Sequence, residues 1–74
     1  MGKYIFVYSV DTVSRSGEFV SVGMILDRWD LVYTIRQAEK TGESILAVTV
    51  AMYDDSGAIC SERDVTGLFG LKNA

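Results

Sequence analysis

The side chains that could do chemistry in this chain are few and poorly placed for it. Histidine, the usual general base near neutral pH, is absent from the 74 residues. The single cysteine, Cys60, lies in a polar, strand-like stretch with no neighbouring motif to lower its pKa, and reads as a buried or inert thiol rather than a nucleophile. Asp54 and Asp55 open an Asp-Asp-Ser-Gly turn, a place where Asp is favoured for its local hydrogen bonds. They could meet Glu62 or Asp64 across a hairpin, but the stretch lacks the alternating ligands and closing Glu of a calcium loop. The glycines form neither a G-x-G-x-x-G nor a Walker pattern. These residues point to no catalytic role, no metal and no cofactor.

Recognition chemistry remains. Trp29, Tyr33, Arg36 and Lys40 follow i, i+4, i+7, i+11 spacing, so on a helix they form one stripe. Trp, Tyr and Arg are the side chains most enriched at binding hot spots, which makes this stripe the first candidate partner-binding surface. The plainer alternative folds Trp29 over a sheet edge and leaves the others as a solvated amphipathic surface. The second candidate is the aromatic row Tyr4, Phe6 and Tyr8, with Phe19 beside it. With Ile5 and Val7 placed beneath the helix, this row is expected on the sheet face pointing away from it. Exposed aromatics on a sheet also stack single-stranded bases, but only Lys3 and Arg15 lie close by in sequence to hold phosphates. A net charge of −3 further ranks nucleic acid below protein.

The helix that carries the first stripe is marked at both ends of Asp27 to Gly42. Asp27 suits the N-cap, with Asp30 three residues on as a short capping-box partner. Leu26 and Leu31 occupy the positions of a hydrophobic staple. Lys40 suits the negative end of the helix dipole, and Gly42 the left-handed position just past it. Leu31, Val32, Ile35 and Ala38 form the arc expected to face the core.

Strand patterns flank this helix. Lys3 to Val13 and Glu18 to Leu26 alternate around a Ser14–Gly17 turn. Ser44 to Tyr53 places Leu46, Val48, Val50 and Met52 in one apolar row, expected beneath the helix. Ala58 to about Val65 is more polar and suits an edge strand. The order β1-β2-α-β3-β4 implies an α+β two-layer sandwich: a four-stranded, mainly antiparallel sheet with one helix on one face. Residues 1–74 form one domain, ending in a short apolar tail, 66–74, whose Leu68, Phe69 and Leu71 are expected to close over the core or the open face.

Hydrophobic content of 49% argues against disorder, and the chain's small size makes a partner or a second copy a natural source of extra stability. The apolar run Tyr4–Val10 is too short to span a bilayer. A single cysteine and no signal-peptide pattern favour a cytoplasmic setting. The expectation is a small non-enzymatic interaction protein that binds and modulates or inhibits a protein partner. Inhibitors of phage or mobile-element type share its size and charge, an analogy only. Single-stranded nucleic-acid binding through the aromatic face is the alternative.

Overall fold

The computed structural model describes residues 3–69. Leu71, one of the three apolar residues expected to close the tail over the core or the open face, lies outside them. The elements are β1 (Ile5–Val13), β2 (Phe19–Ile25), α1 (Arg28–Lys40), β3 (Ser44–Tyr53), β4 (Ile59–Asp64) and a 3-10 turn at Thr66–Phe69. The strands form one antiparallel sheet in the order β2-β1-β3-β4, with α1 between β2 and β3 in the chain. This is the expected α+β architecture. Because β2 and β3 both run opposite to β1, they are parallel to each other, and α1 crosses from an outer strand over β1 to reach β3.

The helix ends are built as their residues dictate. The Asp27 carboxylate accepts from the Trp29 backbone N–H at 2.7 Å. At the other end Gly42 takes φ +83°, and the Glu43 N–H reaches back to the Ala38 carbonyl at 2.9 Å, closing the terminal carbonyls. The two hairpins share one design. Ser14 N–H donates to the Glu18 carbonyl and Asp54 N–H to the Ala58 carbonyl, each across a loop whose last residue, Gly17 or Gly57, has φ near +87° (88° and 86°). In each loop the first residue's side-chain oxygen accepts from the backbone N–H four residues on: Ser14 Oγ from Glu18 and Asp54 Oδ1 from Ala58.

The core joins Leu31, Ile35 and Ala38 of α1 to Val10, Ile25, Ile45, Val48 and Val65, with Tyr8, Val50 and Phe69 packed against it. Three expectations are corrected here. First, the faces of β1 are reversed. Phe6, Tyr8 and Val10 stand opposite Met52, Val50 and Val48 and share the helix side with them, whereas Ile5, Val7, Ser9 and Asp11 point away. The polar end of the second row decides it: Ser9 and Thr49 share a hydrogen bond there, and Asp11 accepts from the Ser21 hydroxyl at 2.7 Å. Burying that row would strand a carboxylate under the helix.

Second, an irregularity between Asp11 and Thr12 on β1 skips one residue of β3, so Ile45 rather than Leu46 lies opposite the buried Thr12 and enters the core. Third, Leu26 is exposed and lines a hollow with Ile5 and Val7, so it does not staple against the fully buried Leu31. The tail expectation holds at Phe69, which packs on the core, and fails at Leu68, which is exposed.

Beyond β4 the chain is tied down by polar contacts. Val65 N–H donates to the Val48 carbonyl at 2.8 Å, and Val48 N–H donates to the buried Thr66 Oγ1 at 2.9 Å. The Thr66 hydroxyl and backbone N–H both donate to Asp64 Oδ1. A threonine hydroxyl thus continues the ladder where the strand stops.

Candidate functional site

Helical geometry puts Trp29, Tyr33, Arg36 and Lys40 on the outer side of α1, and all four are exposed. Trp29 is 81% exposed and Tyr33 64%. Trp29 does not fold over a sheet edge, so the plainer account of that residue fails. Tyr33 overlooks a groove of about 340 Å3 between α1 and β2, floored by Val10, Val20 and Val22 and walled by Thr34 and Gln37. This groove exists because α1 lies over β1 and β3 and leaves Val20 and Val22 of β2 partly uncovered.

The second candidate row sits elsewhere. Phe6 and Tyr8 line a notch of about 280 Å3 on the helix side of the sheet, beside Arg28, Arg63, Val65 and Phe69. Tyr4 precedes β1 and is exposed. The two candidate surfaces share no lining residue. Sequence reading missed Arg28 and Arg63, which the fold brings to the aromatic row from the start of the helix and from β4. Only the strand order could have revealed this, since Arg63 stands opposite Val50, next to Tyr8 across β3 and β1.

On the face away from the helix, Ile5, Val7, Met24, Leu26 and Tyr53 surround a hollow of about 390 Å3, rimmed by Asp54 and Asp55. Met24 enters it from a backbone of φ +58°, the one non-glycine residue at positive φ among those described. The register explains how: Tyr8 pairs with Ile25 and Val10 with Val22, so Gly23 and Met24 together face Ser9 as a β-bulge.

The polar groups are engaged in holding the fold. Asp54 Oδ1 accepts from Ser56 Oγ at 2.6 Å, Ser56 N–H at 2.9 Å and Ala58 N–H at 3.0 Å. The Ser56 hydroxyl first, then the Ala58 N–H, hold this carboxyl below its usual range. Glu43 receives the hydroxyls of Thr12 and Thr41, each at 2.7 Å, and these bonds, Thr12 foremost, lower its pKa too. Both are carboxylates satisfied as anions, which leaves neither poised as an acid or a base near neutral pH. Cys60 is exposed, which removes the buried half of the buried-or-inert expectation, and its thiol lies 3.8 Å from the Ala58 carbonyl and adds to the hydrogen bonds on Asp54. Among the described residues no cluster of His, Cys, Asp or Glu could hold a metal ion, and no helix is long and apolar enough to cross a membrane. Comparison with known protein families, characterised proteins and solved structures finds no match, and geometry alone carries the functional reading.

Proposed function

We propose that this chain is a non-enzymatic protein-binding module that engages its partner through the outer stripe of α1 and modulates or inhibits it. The observation that carries the reading is Trp29, 81% exposed and aligned with an exposed Tyr33. A large aromatic left in water contributes little to folding, and its burial in a partner's pocket is what hot spots are made of. Arg36 and Lys40 extend the stripe with cations suited to an acidic rim on that partner. An exposed, unpaired Cys60 fits a reducing compartment such as the cytoplasm.

The test is affinity capture from the source cell, with wild type and the Trp29→Ala/Tyr33→Ala double variant as baits. A protein held by wild type should be retained at least ~10-fold less by the variant, as expected when hot-spot residues are removed. Titrating that protein into the purified module should also shift the emission of its single tryptophan to the blue. Equal capture by the two baits would end the reading.

One observation favours the alternative, single-stranded nucleic acid. Arg28 and Arg63 flank Phe6, Tyr8 and Phe69, the pairing of cations and aromatics that holds phosphates and stacks bases. Oligonucleotide binding that weakens with salt and is lost in Arg28→Ala/Arg63→Ala would favour it over the protein partner.

A further inference from the structure

We propose that the free edge of β2 pairs with the β2 edge of a second copy of this chain, antiparallel and centred on Ser21, to form one continuous eight-stranded sheet. The inference goes beyond the partner-binding reading and shares only Tyr33 with it.

The edge itself is the first observation. Phe19–Ile25 contains no charged residue and, apart from Ile25, is exposed along its length. Edge strands of monomeric proteins usually carry charges, prolines or covers that prevent pairing. This one carries a bulge, but the bulge lies near its end, at Gly23 and Met24, and leaves Phe19 to Val22 in regular register.

Register follows from the hydrogen-bond pattern. Ser14 N–H bonds to the Glu18 carbonyl, so the alternation along β1 directs the groups of Val20 and Val22 inward. Phe19 and Ser21 therefore present their N–H and C=O groups, and Gly23 its N–H, to the free edge. An antiparallel copy that satisfies all three places Ser21 opposite Ser21, and Phe19 opposite Gly23, in both directions. The side chains agree with that register. Val20 then faces Val22 of the other copy on the helix side, a β-branched pair at the close, non-hydrogen-bonded spacing. On the other face the Phe19 ring covers Gly23, where nothing lies within 4 Å of a would-be Cβ; an aromatic across from an edge glycine is a known stabilising pair.

A twofold axis through Ser21 brings the residues beside it near their own copies, so the centre of the strand must be uncharged, as this one is. The carboxylate nearest the axis is Asp11, one strand further in, and its two copies would stand three strand spacings apart, roughly 14 Å, while Glu18, beside Phe19, stands farther still from its own copy. That separation exceeds the ~8 Å screening length at physiological salt. The surface suffices in area as well. Phe19 at 79%, Met24 at 76%, Val20 at 41% and Val22 at 40% are exposed, with Tyr33 above them. Together they offer roughly 600 Å2 per copy, so a pair reaches about the 1,200 Å2 at which specific interfaces begin.

The experiment measures the mass of wild type and Ser21→Lys by light scattering and sedimentation from low to high micromolar concentration. Wild type should reach twice the monomer mass. Ser21→Lys, whose ammonium can still reach Asp11 within one chain, should keep the wild-type far-UV spectrum and stay monomeric. Register is tested in a Cys60→Ser background. Ser21→Cys should give a disulfide-linked dimer on mild oxidation, because directly opposed Cα atoms stand about 5.5 Å apart. Glu18→Cys should not, because its two copies would be six residues out of register, roughly 20 Å. Three results would overturn the proposal: wild type monomeric throughout, as it would be if the edge served only a different protein; Ser21→Lys still dimeric; or Glu18→Cys linking as readily as Ser21→Cys.

Discussion

The two outer strands of the sheet are opposites. β4 reads Ile-Cys-Ser-Glu-Arg-Asp, with Glu62, Arg63 and Asp64 along its exposed length, and is followed by a threonine locked into the ladder of β3. β2 reads Phe-Val-Ser-Val-Gly-Met-Ile, has no charge, and ends in a bulge whose Met24 holds a left-handed backbone. Both are hairpin strands entered through the same type of loop, so neither topology nor turn geometry accounts for the difference. The difference lies in side chains: one edge carries the charges that discourage a further strand, and the other does not. With charges on one edge only, pairing through the other, as proposed, would give a finite pair rather than a fibre.

Three substitutions would break or sharpen this contrast. Thr66→Val should have the largest effect, because it leaves the buried Val48 N–H without an acceptor while nearly preserving shape. Equilibrium urea unfolding should show a loss of about 1–3 kcal/mol. Met24→Gly acts in the opposite direction on the other edge. Removing a Cβ from a left-handed residue should stabilise the monomer by about 1 kcal/mol, seen as a higher urea midpoint with an unchanged slope. A loss of stability on this change would mean that the Met24 side chain in its hollow outweighs its backbone strain.

The third, and smallest, effect separates the hairpins. Asp54 opens the loop before β4, and Ser14 holds the matching position before β2. The folded pKa of Asp54 is lowered, so its contribution is complete above the usual Asp value of about 3.9 and is lost as pH falls through the lowered value. Unfolding followed from pH 5 downward should therefore show a shallower acid decline for Asp54→Ser than for wild type. Equal declines would remove Asp54 from the account.

Much of the fold was legible because local chemistry states it. Asp27 and Gly42 mark the helix ends, the Gly17 and Gly57 loops mark both hairpins, and the apolar run from Ser44 to Tyr53 coincides with β3. What misled was alternation taken without its polar members. In the first strand the aromatic row and the Ile5–Val7 row are equally apolar, and only Ser9 and Asp11 distinguish the face that meets water. The exchange of Ile45 for Leu46 was not legible, since a bulge leaves no mark on the composition of a strand. The helix stripe was legible as spacing, though its exposure was not. The meeting of Arg28 and Arg63 beside Phe6 and Tyr8 depends on strand order, which no local pattern encodes.

The place of β1 has a consequence for how the chain assembles. It precedes the other strands yet is central in the sheet, paired on one side with β2 through the short Ser14–Gly17 loop and on the other with β3 across the whole of α1. The contacts between β1 and β3 span 31 to 48 positions, from Val13–Ser44 to Ile5–Tyr53. Closing that loop is the entropically costly step, and it should limit the folding rate while both hairpins form locally and fast. During synthesis β1 and β2 emerge before β3, and the inner side of β1 lacks its partner strand until residues beyond the helix follow. For that interval the nascent chain has two open edges instead of one.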